Sequence, residues 1–223
     1  LIPLNDLIDQ YAPNIKTFME AEPSVAATFY HIDKNIYQLP SYIGYNALER
    51  YTTLRAWINN QWLTNLGLEN PDTLDGYYNV LKAFKEQDAN GNGDATDEIP
   101  LSDTPSNLTR LFLNLMGAMT REYSTLKPAI YNNTAIIPAN DKEFYRSYLA
   151  ELNKFYADGL INQDMFTLTT AQIQADAAAD IVGSHVQGAP HVLPIKDYTL
   201  WTSLKSMTSA YNDTPKWPES NDI

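Results

Sequence analysis

The chain contains no cysteine. That excludes disulfides, thiolate metal sites and cysteine nucleophiles. Basic residues are scarce as well: 15 Lys and Arg stand against 27 Asp and Glu, for a net charge of −12. Such a balance argues against nucleic acid or an anionic membrane as the main partner. Histidine occurs only at 31, 185 and 191. His185 and His191 are six apart across Gly188 and Pro190, an uncompelling metal-ligand spacing. No apolar run approaches the length of a membrane span. No Ser, His and Asp stand together in a motif context. Glycosidases need two carboxylates at a fixed separation, and no pair here is singled out by a motif. No catalytic residue is assigned, so a protein without turnover is expected. The chain begins at Leu1 with neither an initiator Met nor a signal peptide, which suggests a piece of something longer.

What the chain does have is an oxygen-rich loop running from Asp88 to Pro100. Asp88, Asn90 and Asn92 fall at positions 1, 3 and 5, and Gly93 at position 6 permits a sharp turn. Calcium takes six to eight oxygen ligands, and this spacing wraps oxygens around one hard cation. The match to an EF-hand loop is incomplete, because position 12 is Ile99 and Glu98 comes one residue early. The expected ligands are the side chains of Asp88, Asn90 and Asn92 and the carbonyl of Asp94. Glu98, with Asp97 or Thr96, would close the far side. The alternative is a solvated acidic turn, since Asn and Gly form turns anyway. A catalytic metal would need open positions and a nearby acid or base, so the expected calcium is structural. It would fix the exit of the preceding helix.

Fifteen Tyr and four Trp are many for this length. They admit two readings: hydroxyl-bearing rings packed at the surface, or flat rings for stacking on sugars.

Along the chain, 5–20 has helical period with a break at Pro13. Residues 28–39 alternate as a short strand pair around Asp33-Lys34-Asn35. A strand over 51–58 leads to a short helix over 59–66 closed by Gly67. Thr73 is the expected N-cap of a helix over 74–86. An apolar helix is expected over 104–119 and a hairpin around Asn132-Asn133. A capping box at 140–143 opens a long helix closed by Gly159. A helix over 169–180 and a buried strand beginning at Ile181 follow. Beyond Pro194 the pattern is loop, with Trp201 and Trp217. The fold class expected is α/β and helix-rich.

The order of several segments resembles the extracellular solute-binding proteins of ABC sugar importers, family 1, and within it the alginate-binding proteins. The segments are 36–40 (Ile36 to Pro40), 57–68 (Trp57 to Leu68), 71–73, 80–85, the loop 88–100, and 148–161 (Tyr148 to Ile161). The resemblance covers about residues 30 to 185 and implies a periplasmic-binding-protein-like (type II) lobe. It implies a partial chain, with 1–40 a fragment of lobe one and the hinge entry, and 41–223 lobe two with the calcium loop inserted. It further implies an oligosaccharide ligand, ABC permease subunits as partners, and a monomer. The place implied is the cell surface or periplasm, held through a lipid anchor outside this chain. The family's loop commonly carries one residue fewer before the Asp97-Glu98 pair. For the sugar cleft the resemblance points to Tyr42, Tyr45 and Arg55, and to His185 and Gln187 after the buried strand; Trp201 either stacks on a sugar or covers the core. Two other functions compete: a glycoside-active enzyme domain and a calcium-stabilised cell-surface adhesion module. The second is disfavoured by the single loop, where such modules pair them.

Overall fold

A computed structural model describes residues 1–39, 54–120 and 122–213. The chain divides into two compact units, 1–49 and 50–223. No helix among the described residues is long and apolar enough to cross a membrane.

The first unit is helical. Helices α1 (Asn5–Tyr11), α2 (Pro13–Ala21) and α3 (Pro23–Ala26) follow one another, and a 3-10 turn covers Ala27–Phe29. Pro13 and Pro23 each open a helix, where a missing N–H costs nothing. The break expected at Pro13 is therefore a helix boundary. Ile8, Phe29 and Ile36 are buried together, and Phe18 stacks on Phe29 at 6.2 Å. The strand pair expected over 28–39 does not form. Only its turn does: the His31 N–H donates to the Asn35 carbonyl at 2.8 Å, and Lys34 sits at φ 65°. The reason lies in Asn5. Its side chain accepts from the Ile36 N–H at 2.9 Å, and the Leu4 N–H takes the Ile36 carbonyl at 2.7 Å. The backbone groups of Ile36 are thus satisfied by the start of α1, not by a partner strand.

The second unit is α/β. Strands β1 (Arg55–Asn59), β2 (Ile99–Leu101), β5 (Val182–Gln187) and β6 (Trp201–Ser203) form one sheet in the order β2-β5-β1-β6. β2 and β5 are parallel, and the other two pairs are antiparallel. Strands β3 (Ala129–Tyr131) and β4 (Thr134–Ile136) form a separate hairpin. Its two turn residues, Asn132 and Asn133, sit at φ 49° and 58°, the left-handed pair that a tight hairpin needs.

Helices α4 (Asn60–Leu66), α5 (Leu74–Glu86), α6 (Pro105–Leu115), α7 (Lys142–Ala157) and α8 (Thr170–Ala179) complete the unit. Trp62, Tyr77, Leu81, Phe84, Phe112 and Phe155 make the centre of the core. Trp62 meets Phe84 edge-on at 5.2 Å, and Phe112 meets Phe155 edge-on at 5.0 Å. Gly183 of β5 lies against Trp62 and Phe84, where a Cβ would come within 2.5 Å of the Phe84 ring. No side chain fits there, so β5 approaches the helix layer only because this residue is glycine.

Most helix ends obey their caps. Thr73 accepts from the Gly76 N–H, and Gly67 closes α4 at φ 65°. Three expectations shift. Helix α6 ends at Leu115, short of Met119, because Gly117 takes φ 84° and turns the chain. Asp141, not a 140–143 box, caps α7, and the reciprocal capping box forms at Thr169 and Gln172. Strand β6 forms where only loop was read, as three residues added to the edge beside β1.

Candidate functional site

Helix α5 stops at Glu86, and the next eleven residues fold their own side chains inward. Asp88 accepts from two backbone amides, Asn92 N–H at 3.0 Å and Gly93 N–H at 2.9 Å. Asn90 Oδ1 accepts from the Asn92 N–H at 2.9 Å, and Asn92 Oδ1 from the Asp94 N–H at 2.7 Å. Asp97 receives both asparagine amides, Asn90 Nδ2 at 3.2 Å and Asn92 Nδ2 at 2.7 Å. Asp94 instead accepts from the Thr96 N–H and hydroxyl, which hold its carboxyl below the usual carboxylate range. Gly91 and Gly93 take φ 75° and 92°, turns that a side chain would strain.

Glu98 closes the loop and is only 3% exposed. Its Oε1 accepts from the Ala89 N–H at 2.8 Å, while Oε2 is buried without a hydrogen-bond partner. Burial pushes this carboxyl up, against the pull of the backbone amides around it. None of Asp88, Asp94, Asp97 and Glu98 pairs with a basic side chain among the described residues. A buried carboxylate oxygen without a donor costs about 1–3 kcal/mol. A hard cation is the chemistry that would satisfy it, so the donor set fits calcium. No three His, Asp or Glu side chains converge to hold a metal among the described residues. Such an ion would therefore need the asparagine oxygens and a backbone carbonyl as well, as the spacing implies.

A second polar cluster stands at the other end of β2. Asp103 is fully buried, and burial pushes its carboxyl up. Both its oxygens are nevertheless in use. Oδ1 accepts from the Thr104 N–H at 2.7 Å and from Asn107 Nδ2 at 2.6 Å. Oδ2 accepts from the Val186 N–H at 2.9 Å and from Gln187 Nε2 at 3.4 Å. Asp103 thus ties the start of α6 to the end of β5. Next to it, Trp57 Nε1 donates to the Gln187 carbonyl at 2.8 Å, and Arg55 lies across the sheet from Gln187.

The structure brings Arg55 and Gln187 together at this sheet end. His185 and Trp201 meet each other instead, at 4.8 Å between rings, with His185 fully enclosed and Trp201 8% exposed. Tyr42 and Tyr45 lie outside the described residues. Sequence reasoning passed over Asp103, Asn107 and the Trp57 N–H. Asp103 stands two residues after β2 and just before the Thr104 cap, but its partners Val186 and Gln187 are too distant in sequence for that position to reveal its role.

No family model matches the chain. Related proteins are found all the same. The chain is 34% identical over 170 residues to the fructooligosaccharide ABC transporter substrate-binding protein FusA of Streptococcus pneumoniae serotype 4, over 74% of this chain and 31% of that protein. It is 33% identical over 120 residues to the lipoprotein LipO of Bacillus subtilis, over 52% of this chain and 22% of that protein. In three dimensions it is similar to an EF-hand mutant of S. pneumoniae FusA in complex with fructo-nystose. The TM-score is 0.75 at 25% identity, over 100% of this chain and 45% of that one. The chain spans less than a third of the length of these curated relatives.

Proposed function

We propose, since the chain belongs to the substrate-binding proteins of ABC sugar importers, that it is part of an oligosaccharide-capturing component. That component would deliver sugar to a membrane permease. Residues 1–40 would be a fragment of lobe one, and 41–223 would be lobe two. The full-length protein would be a monomer at the cell surface or in the periplasm, held by a lipid anchor outside this chain. The observation that carries the reading is the 170-residue relationship to FusA, together with a fold likeness that runs over the whole chain. In this reading Arg55 and Gln187 contribute to the cleft wall, and Tyr42 and Tyr45 are ligand candidates by resemblance alone. His185 and Trp201 would support that wall from beneath.

The loop would hold one structural calcium through Asp88, Asn90, Asn92, the Asp94 carbonyl, Asp97 and Glu98. Its unpaired Glu98 oxygen supports this, as does the existence of an EF-hand mutant among the similar structures. The ion would supply positive charge to an otherwise uncompensated acidic loop, with no part in chemistry. No turnover is expected.

Two-lobed binders hold a ligand by closing both lobes around it, and a half-site loses contacts and preorganisation together. Titration calorimetry with a fructo-oligosaccharide such as fructo-nystose tests the reading. The full-length protein should bind, and the isolated chain should bind weakly or not at all. Equal affinities would show that the cleft is complete within this chain. Failure of the full-length protein to bind any of an oligosaccharide panel would sink the capture reading itself. Hydrolysis of a panel member, lost on replacing one carboxylate, would favour the enzyme instead.

A further inference from the structure

The chain has two Asn-Gly pairs, Asn90-Gly91 and Asn92-Gly93, and both lie in the acidic loop. Asn-Gly is the dipeptide most open to spontaneous deamidation, because glycine leaves the attacking nitrogen unshielded. The backbone nitrogen of the glycine loses its proton and bonds to the asparagine Cγ. The Cγ–Nδ2 bond breaks, and ammonia leaves with the proton. Water then opens the cyclic imide at one carbonyl or the other, giving aspartate or isoaspartate.

We propose that Asn90 is a site of non-enzymatic deamidation in the folded protein, and that the fold protects the identical pair at Asn92. The difference lies in the two nucleophiles. The Gly93 N–H is held by Asp88 Oδ2 at 2.9 Å. That carboxylate keeps the proton in place, and its charge opposes the amide anion that attack requires. The Gly91 N–H meets no acceptor among the described residues, and Gly91 is exposed to solvent base. The electrophiles do not reverse this order. Each asparagine Oδ1 accepts one backbone N–H, at 2.9 Å for Asn90 and 2.7 Å for Asn92, so both amides are polarised and the difference between them is small. Their leaving groups differ in the same direction as the nucleophiles. Asn92 Nδ2 is held at 2.7 Å by Asp97, whereas the bonds of Asn90 Nδ2 are longer, 3.2 Å to Asp97 and 3.5 Å to the Asp180 carbonyl.

Conversion at Asn90 has a structural consequence. It exchanges an amide that donates to Asp97 for a further carboxylate beside it. The loop already carries Asp88, Asp94, Asp97 and Glu98 without a basic partner among the described residues. Isoaspartate would also reroute the main chain through the side-chain carbon and lengthen a loop whose turns depend on exact register.

Peptide mapping by mass spectrometry after incubation in mildly alkaline buffer tests the proposal. Chelator is present throughout, so the outcome does not depend on the calcium reading. In the folded chain, Asn90 should convert about tenfold or more faster than Asn92, equivalent to about 1.4 kcal/mol on the barrier. In denaturing urea the two should convert at similar rates, since both precede glycine. Asp88→Asn should raise the Asn92 rate and leave that of Asn90 unchanged. If that variant unfolds, both rates will reach their urea values, and the ratio in the native chain still decides. Equal rates at the two sites in the folded chain would overturn the proposal, as would faster conversion at Asn92.

Discussion

Glu98 and Asp103 are buried carboxylates on either side of strand β2, and their surroundings could hardly differ more. Asp103 spreads four donors over its two oxygens. Glu98 has one oxygen bonded to the Ala89 N–H and one with no partner. Burial pushes both carboxyls up. Burial alone therefore does not separate a structural acid from a ligand-seeking one, whereas the count of donors does. A fully satisfied acid acts as a bracket between elements, and a half-satisfied acid is open to a cation.

The largest expected effect tests the bracket. Asp103→Ala removes the acceptor for the Val186 and Thr104 amides and for two side-chain amides. At about 1–3 kcal/mol for each buried group left unpaired, a loss of about 3 kcal/mol or more is expected in urea unfolding. The loss should be the same with calcium or with chelator. A loss that calcium could reverse would break the comparison, because Asp103 would then belong to the ion site.

The opposite behaviour is expected at Glu98. A ligand that binds only the folded state at a hundred times its dissociation constant stabilises it by about 2.7 kcal/mol. Thermal melts in calcium should therefore exceed those in chelator by several degrees. Asp88→Ala or Glu98→Gln should erase the difference, and Asp103→Asn should leave it in place. A melting curve indifferent to chelator in the native chain would remove the ion from the loop and leave Glu98 as a plain buried acid.

Much of this contrast was legible beforehand, for a physical reason. The loop's hydrogen bonds are local, so spacing along the chain reports its turns, and Gly93 marks one of them. Helix α5 and its Thr73 cap, the Asn132-Asn133 hairpin and the close of α4 at Gly67 are likewise set by neighbours a few residues away. The kinship with sugar-binding proteins was readable from the order of several such local segments. Asp103 was not legible, because its partners Val186 and Gln187 lie more than eighty positions later. Strand β6 was missed because three residues at a sheet edge carry little pattern. The supposed strand pair before Leu39 failed because Asn5 supplied a partner from outside the alternation.

A third buried group sharpens the comparison, and it is one that nothing satisfies. His185 is enclosed beside Trp201, and neither ring nitrogen has a hydrogen-bond partner among the described residues. Burial pushes its pKa down to about 3 from an ordinary 6.5. The folded state thus keeps the ring neutral, while the unfolded chain takes up a proton below pH 6.5. At intermediate pH the unfolded state binds more protons, so stability must fall as the pH drops. The contribution is complete above 6.5 and drains away between 6.5 and 3. At pH 5 the loss is about 2 kcal/mol, taking about 1.4 kcal/mol per pH unit below 6.5. Urea unfolding from pH 7.5 to 5, with His185→Phe alongside, isolates this term from the carboxylates, which the two chains share. The native chain should lose stability relative to the variant as the pH falls, in calcium and in chelator alike. Parallel profiles would mean that the imidazole has a partner in solution. His185 would then join Asp103 among the satisfied groups and cease to be an unpaired one like Glu98.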